Sequence, residues 1–200
     1  MSGRARRPLV RLLLALAVSV LLVDQLTKVW AVASLSVGER IPVVGDLLGL
    51  TLLYNPGAAL SIATGMTWLL TVAAAVVSVV ILRIAKRLGS RAWAVALGLL
   101  LGGAVGNLMD RLFRDPSFGR GHVVDFIDYA GFFVGNVADI AIVVAACLIV
   151  LLSLRGIGVD GSRESARGAS RDEPVDGVTE DSPAAELPDG QGQHRDGELR

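Results

Sequence analysis

Cysteine and aromatic residues are scarce in this chain of 200 residues. Cys147 is the single cysteine and lies inside an apolar run, so neither an intrachain disulfide nor a cysteine-based zinc site can form. Aromatic residues make up only 5% of the sequence, and no concentrated basic face accompanies them. Because nucleic-acid-binding proteins need basic faces and aromatic platforms, we predict no nucleic-acid partner.

Short motifs of several enzyme classes are also missing. Neither the zinc-binding HExxH pattern nor the Gly-x-Ser-x-Gly pattern of serine hydrolases occurs. The glycines at 102, 103 and 106 have no Lys-Ser or Lys-Thr after them, so they do not form a phosphate loop, and glycine in a membrane helix more often permits close packing. The sequence therefore predicts a site without a metal ion or a cofactor.

Acidic and basic residues balance at 19 each, but they are unevenly distributed. Residues 1–154 carry 13 basic and 8 acidic side chains, whereas residues 155–200 carry 6 basic and 11 acidic ones, so charges of +5 and −5 cancel. The second segment has no aromatic residue and no apolar periodicity, and such a chain cannot bury enough surface to offset its conformational entropy. We predict a membrane domain over residues 1–154 and a disordered cytoplasmic tail over 155–200.

Four apolar runs are long enough to cross a membrane. A hydrocarbon core of about 30 Å takes roughly 20 helical residues, and the absence of water requires backbone groups to be paired within each segment. The sequence therefore predicts an all-α membrane protein with four transmembrane helices, over residues 10–33, 62–82, 92–109 and 133–154. The first run imitates a cleavable secretory signal, but its polar residues at 24–28 and the three further runs favour a retained helix.

Basic residues near the ends of the runs predict the orientation. The N-terminal arm carries four arginines, and the connection over residues 83–91 carries four basic residues and no acid. The connections over residues 34–61 and 110–132 mix both charges. Because lysine and arginine concentrate on the cytoplasmic side, we predict that both termini lie in the cytoplasm and that the two mixed connections lie outside.

Polar side chains inside membrane spans are expensive. A charged one costs roughly 2.5–3.5 kcal/mol on insertion scales and is usually kept for function. Helix counting places the polar groups of this chain near the outer boundary of the membrane, on three helices and their connections. They are Asp24 and Lys28 on the first helix, Asn107, Asp110 and Arg111 at the end of the third, Asn136 and Asp139 at the start of the fourth, and Asp125 and Asp128 in the connection before it.

Several of these groups also have a structural interpretation. Asp24 and Lys28, four residues apart on one helix face, form either an ion pair that fixes the geometry or a contact to substrate. Arg111 is expected to reach a carboxylate on another element or a lipid phosphate rather than its neighbour Asp110. His122 is either a ligand or base or, more commonly for a lone histidine in a polar loop, a solvated side chain.

Asp125 and Asp139 are the strongest candidates for chemistry. Without metal ligands, a serine or cysteine triad or a cofactor motif, an intramembrane site can split an amide bond with two carboxylates that share a proton. Like charges a few Å apart in a low dielectric cannot both ionise. The charged carboxylate would act as general base on a water, and the neutral one would donate to the scissile carbonyl. The sequence does not assign the two roles.

Two other function classes fit parts of the pattern. A small proton- or cation-coupled carrier would relay charge through Asp24, Asp110 and Asp139, although the inner halves of the first and fourth helices carry no ionisable group. A membrane scaffold with structural ion pairs would not explain why the polar blocks share one depth.

Five short blocks resemble the ordered signature of the lipoprotein signal peptidases, the type II, aspartic signal peptidase family of bacterial inner membranes. They follow the family's order over about residues 9–154, and five linked blocks are far more specific than one. The C-terminal tail is not covered. The blocks are Asp24-Gln25-Leu26-Thr27-Lys28, Asn55-Pro56-Gly57-Ala58-Ala59, Gly106-Asn107-Leu108-Met109-Asp110-Arg111, Val123-Val124-Asp125-Phe126-Ile127-Asp128 and Asn136-Val137-Ala138-Asp139-Ile140-Ala141-Ile142.

The resemblance implies an endopeptidase that removes the signal peptide of diacylglyceryl-modified prolipoproteins by cleavage before the lipidated cysteine. Asp125 and Asp139 match the family's catalytic pair, and residues 36–61 are expected to form a small extracytoplasmic β-cradle. The active site is expected on the extracytoplasmic side of the inner membrane, and one catalytic centre per chain makes a monomer adequate. Residues that match site-lining or supporting positions are Asn55, Asn107, Arg111, Asn136, Asp24 and Lys28.

Two positions depart from the family's usual pattern. Leu60 stands where the family usually has phenylalanine, and Gly135 stands before Asn136 where the family has an aromatic residue, with Phe132 and Phe133 slightly earlier. Both are packing positions, so we expect a difference in pocket shape rather than in chemistry.

Overall fold

The computed structural model describes residues 3–57 and 67–163, and its main elements are four helices. Each of the four is long and apolar enough to cross a membrane, which confirms the predicted number of transmembrane helices. A short 3₁₀ helix, Ala85–Arg87, continues from the second of them. The helices are α1 (Gly3–Ser34), α2 (Thr67–Ile84), α3 (Arg91–Phe113) and α4 (Val137–Leu154).

Three helix boundaries differ from the predicted spans by more than two residues. Helix α1 begins at Gly3, seven residues before the predicted start at 10. Helix α3 continues to Phe113, four residues beyond the predicted end at 109, so its polar C-terminal turn is still helical. Helix α4 begins at Val137 instead of 133, because residues 133–135 form a strand and Asn136 is the N-cap. Residues 62–66, the predicted start of the second span, lie outside the described residues, as does Leu60.

A four-stranded antiparallel sheet lies beside the polar end of the bundle. Its strands are β1 (Arg40–Val44), β2 (Leu48–Asn55), β3 (Val123–Tyr129) and β4 (Phe133–Gly135), in the spatial order β1-β2-β3-β4. The sequence predicted strands only within 36–61. The first four residues of β3 are all buried, so this strand lacks the alternation that identifies a half-buried strand in a sequence.

Helix α3 packs against each of the other three helices. Gly98, Gly102 and Gly106 recur every four residues on its α1 face, where a Cβ at Gly102 would lie 2.7 Å from the Ala17 carbonyl oxygen. On another face, a Cβ at Gly103 would lie 2.6 Å from a carbonyl oxygen of α4. These glycines therefore allow the helix backbones to approach closely, as the sequence predicted.

Apolar side chains close the bundle at the end opposite the sheet. Leu13 and Leu88 are fully buried there, and Trp93 packs with them between the helix ends. A second buried cluster, formed by Ala31, Leu52, Val124 and Phe126, joins the sheet to the end of α1. The sheet is thus fixed to the bundle by packing as well as by the polar contacts described below.

The segment after α4 folds back onto the bundle. Residues 155–163 form turns, in which Ile157 and Val159 pack against the apolar end cluster. The Trp93 Nε1–H donates to the Ile157 carbonyl at 2.8 Å, and the Gly89 N–H donates to the Val159 carbonyl at 2.9 Å. The chain is therefore ordered nine residues beyond the predicted boundary at 154. Residues 164–200 lie outside the described residues, and their disorder stays a prediction.

Candidate active site

Asp125 lies on β3 with only 1% of its surface exposed. Its Oδ2 accepts a hydrogen bond from the Asn55 side-chain amide at 2.8 Å, and its Oδ1 accepts one from the Asn136 side-chain amide at 2.6 Å. Asn55 is the last residue of β2, the strand beside β3, and Asn136 directly precedes α4. The carboxyl group is thus held at the junction between the sheet and the bundle.

Asp139 lies in the first turn of α4, where it forms a reciprocal cap with Asn136. The Asp139 N–H donates to the Asn136 side-chain oxygen at 3.1 Å, and the Asn136 N–H donates to Asp139 Oδ2 at 3.1 Å. This capping box satisfies two backbone donors that a helix start leaves unpaired. The other carboxyl oxygen of Asp139 accepts a hydrogen bond from the Asn107 side-chain amide at 2.9 Å.

Both carboxyl groups face one small cavity of about 200 Å³. The side-chain amides of Asn107 and Asn136 connect them, because Asn136 Nδ2 donates to Asn107 Oδ1 at 3.3 Å as well as to Asp125. Asp125 and Asp139 are close enough for the charge of one to disfavour ionisation of the other. The cavity is lined by Asn55, Gly57, Asn107, Arg111, Val123, Asp125, Phe133 and Asp139.

A buried cation supports this cavity from behind. Lys28 has no exposed side-chain surface, and its Nζ lies 2.8 Å from carboxylate oxygens of both Asp24 and Asp110. The same ammonium donates to Asn107 Oδ1 at 3.0 Å. Because the Lys28 ammonium can only donate, it fixes the side-chain oxygen of Asn107 towards itself, and the amide nitrogen of Asn107 is therefore directed towards Asp139. The predicted ion pair between Asp24 and Lys28 is present.

The two acids beside Lys28 also bind backbone groups of neighbouring elements. Asp24 accepts the Ala138 N–H of α4 at 2.9 Å, and Asp110 accepts the Val124 N–H of β3 at 3.2 Å. Asp110 is paired further with Arg114 at 2.7 Å. These contacts fix α1, α3, α4 and β3 relative to one another around a compensated set of charges.

Arg111 reaches the cavity from the last turn of α3 and is mostly buried. Over the described ranges, its Nη1 has no hydrogen-bond partner. A buried N–H without an acceptor costs about 1–3 kcal/mol, and an oxygen atom of a bound molecule in the cavity would remove that cost. Arg111 is attracted electrostatically by its neighbour Asp110 as well as by Asp125 and Asp139, so the expectation that it reaches an acid on another element stays a prediction.

Burial raises the pKa of Asp125 to about 7, and the neighbouring charge of Asp139 acts in the same direction. The hydrogen bonds from Asn55 and Asn136 and the charge of Lys28 oppose this shift. A carboxyl group with such a pKa is substantially protonated at neutral pH. Asp125 can therefore hold a proton at neutral pH.

The structure brings most of the sequence-predicted residues to this cavity, but Asp128 and His122 lie elsewhere. Asp128 pairs with Arg40 at 2.7 Å and accepts the Gly131 N–H, and these contacts lower its pKa. His122 lines a separate cavity with Tyr54 and Phe113. Asn136, Asp24 and Lys28 stand behind the lining residues and support them.

Other residues at the site were not among the predicted ones. Gly57 and Phe133 line the cavity, and Gln25 donates to Asp110 Oδ1 at 3.3 Å and to the Gly106 carbonyl at 3.1 Å. Gln25 and Gly57 belong to two of the five sequence blocks that resemble the family, and this membership is the feature by which the sequence could have indicated them. Among residues 3–57 and 67–163, no three His, Cys, Asp or Glu side chains are grouped to hold a metal ion, and the metal-free site stays a prediction.

Known proteins are similar to this chain in sequence and in fold. The sequence profile of the family described as signal peptidase (SPase) II matches residues 16–155. A lipoprotein signal peptidase of Leifsonia xyli is 46% identical over 176 residues, which is 88% of this chain and 78% of the relative. One from Rhodococcus jostii is 50% identical over 153 residues, and one from Mycobacterium tuberculosis is 49% identical over 150 residues. These alignments cover 76% and 75% of this chain and 77% and 74% of the two relatives.

Two solved structures of bacterial membrane enzymes have the same architecture. Both superpose with a TM-score of 0.63 at 28% sequence identity. One comparison covers 71% of this chain and 87% of the solved chain, and the other covers 72% and 92%.

The raised pKa of Asp125 predicts a pH-dependent stability. The unfolded chain loses this proton near pH 3.8, whereas the folded protein keeps it up to about pH 7. The stabilisation from Asp125 is therefore complete below the lower value and is lost as the pH rises through the higher one. Thermal unfolding should follow this trend, and infrared difference spectra should show the band of a protonated carboxylic acid disappearing near pH 7.

The matched control is Asp128→Asn, which alters a buried carboxylate on the same strand whose pKa is lowered instead of raised. The band should persist in that variant and be absent from Asp125→Asn. A band that titrates near pH 4, or that remains in Asp125→Asn, would contradict the assignment.

Proposed function

Because the chain belongs to the signal peptidase II family, whose members remove signal peptides from prolipoproteins, we propose that Asp125 and Asp139 carry out this hydrolysis. The protein is a multi-pass membrane protease that acts on lipoprotein precursors. The observation that supports the proposal is one cavity lined by two carboxyl groups, each held on both oxygens by N–H donors. Because this cavity accounts for the polar residues, neither the carrier nor the scaffold interpretation is needed to explain them.

The geometry favours different roles for the two acids. Asp125 is almost completely buried and has a pKa of about 7, so we assign it the shared proton. Asp139 is partly exposed to the cavity and lies in the first turn of α4, where the helix N-terminus stabilises a negative charge. Asp139 would remove a proton from the attacking water, while Asp125 would donate to the carbonyl oxygen of the scissile bond.

Arg111 would bind the substrate beside this pair. Within the described residues its Nη1 has no acceptor at the cavity wall, and it would donate to a carbonyl oxygen of the substrate backbone. Asn55 would keep Asp125 in place from the sheet, and Asn107 would keep Asp139 in place from the bundle. Lys28 and Asp24 would act as positioning residues, because they contact the amide and the helix start rather than the cavity.

We further propose that the cavity opens towards the outer leaflet of the bacterial inner membrane. In this orientation both termini lie in the cytoplasm, and the basic connection after α2 lies on the cytoplasmic side. A diacylglyceryl-modified cysteine keeps its acyl chains in the outer leaflet, so its scissile bond lies near the interface, where water is available. One catalytic centre per chain makes a monomer adequate.

Replacement of either acid by asparagine should abolish cleavage. Asp125→Asn and Asp139→Asn keep the side-chain shape but remove the titratable carboxyl, so we expect the rate to fall by about 10³-fold or more. The assay is cleavage of a purified diacylglyceryl prolipoprotein in detergent, with folded yield measured alongside. Asp128→Asn is the control and should retain most of the activity. Near-normal cleavage by either folded active-site variant, or full loss of wild-type cleavage on chelation alone, would overturn the mechanism.

The two functions of Asn136 can be separated by substitution. Asn136→Ser keeps an oxygen that can cap α4 but removes the N–H donor to Asp125, whereas Asn136→Ala removes both. Since a hydrogen bond between neutral groups contributes about 0.5–1.5 kcal/mol, we expect Asn136→Ser to lower kcat roughly 2–10-fold. It should also move the alkaline limb of the pH–rate profile upwards, because the lost donor opposes the raised pKa of Asp125.

Thermal unfolding supplies the control for that comparison. Asn136→Ser should unfold at a higher temperature than Asn136→Ala, because the retained helix cap contributes about 1 kcal/mol to the free energy of unfolding. Equal kcat values for wild type and Asn136→Ser, or an unmoved pH profile, would show that Asn136 acts only as a cap.

The proposed orientation predicts which connections a reagent can reach. In a Cys147→Ala background, Ser117→Cys places a thiol on the connection after α3, and Lys86→Cys places one in the connection after α2; both positions are exposed. A membrane-impermeant maleimide should label Ser117→Cys in intact spheroplasts and Lys86→Cys only after permeabilisation. The reverse labelling pattern would place the active site on the cytoplasmic side.

A further inference from the structure

A second cavity, of about 430 Å³, lies at the end of the bundle where α2 ends and α3 begins. It is far from the active site, because Asn107 lies 16 residues along α3 from Arg91, about 24 Å at the helical rise. We propose that this cavity binds the headgroup phosphate of an anionic phospholipid. The cavity is lined by Arg83, Ile84, Arg87, Val159 and Asp160.

Two arginines supply the charge for such a ligand. Arg83 and Arg87 are four residues apart, so both side chains project from the same side of the helical segment. Both are exposed, and neither forms an ion pair within the described part of the chain. Guanidinium groups present paired N–H donors that match phosphate oxygens, and they are more weakly hydrated than ammonium groups.

The remaining wall is apolar and fixed in place. Ile84 and Val159 line it, and the Gly89 N–H holds the Val159 carbonyl at 2.9 Å. Gly89 leaves no room for a side chain, because a Cβ there would lie 2.1 Å from the Asp160 carbonyl oxygen. The segment after α4 therefore packs directly against the connection between α2 and α3. The aliphatic wall can contact the acyl chains of a phospholipid, and the two arginines at the rim can bind its phosphate.

The cavity also lies at the depth of lipid headgroups. The apolar stretch that includes α2 runs from Thr67 to Arg87, so its basic end marks the boundary of the membrane. In the proposed orientation this boundary belongs to the cytoplasmic leaflet, whose anionic lipids attract basic segments.

Asp160 is the one acid among the described lining residues and opposes an anion. Its Oδ1 accepts the Ser162 N–H at 3.0 Å and the Ser162 hydroxyl at 2.6 Å, so this oxygen is bound within its own turn. The lining keeps a formal charge of +1, from two arginines and one aspartate. Neutralising Asp160 should therefore strengthen lipid binding.

Thermal unfolding in a neutral detergent tests the proposal without any substrate. Added phosphatidylglycerol should raise the Tm of the full chain by roughly 3–6 °C at saturation, because a ligand that binds only the folded state stabilises it. Phosphatidylcholine and inorganic phosphate should give much smaller shifts. Arg83→Gln with Arg87→Gln should lose most of the phosphatidylglycerol shift, and Asp160→Asn should enlarge it.

The matched control is Arg11→Gln with Arg91→Gln, which removes the same charge from exposed positions at the same end of the bundle but outside the cavity. It should keep the phosphatidylglycerol shift. An equal loss in the two double variants would show a general charge effect, and a shift of the same size with inorganic phosphate would show a free-phosphate site. Either result, or no shift at all, would overturn the proposal, and none of them bears on the catalytic role of Asp125 and Asp139.

Discussion

The relative position of Asp125 and Asp139 depends on one side chain, Asn136. Its oxygen caps α4, and its amide nitrogen holds Asp125 on β3, so a single residue connects the sheet to the start of a membrane helix. The first turn of that helix contains Asp139. If the cap moved, one carboxyl group would move relative to the other. The spacing of the pair is therefore set by the same contact that starts the helix.

This junction is stable only because its buried charges are compensated. Lys28 lies between Asp24 and Asp110, and Arg114 pairs with the far side of Asp110. Loss of one partner would leave an uncompensated buried charge, which typically costs about 3–5 kcal/mol. The acids also bind backbone N–H groups of α4 and β3, so electrostatic compensation and tertiary structure depend on the same side chains.

Helix topology was sufficient to predict that polar groups from three helices meet at one end, because membrane thickness fixes where each residue lies along a helix. The sheet was predicted only in part, since β3 is buried on both faces at its start and resembles any short apolar run. The separation of Asp128 from Asp125 also required the structure. Both belong to one sequence block, but they lie three residues apart on β3, so their side chains point to opposite faces of the sheet, and Asp128 pairs with Arg40 on β1.

The difference in polarity between the two ends of the bundle distinguishes a hydrolase from a carrier. At the sheet end, polar groups surround a cavity that substrate and water could share. At the other end, Leu13, Leu88 and Trp93 fill the space between the helices. A carrier requires a polar route through the membrane, and across the described part of the bundle that route ends at this apolar cluster. Hydrolysis requires access from one side only, which a closed opposite end does not prevent.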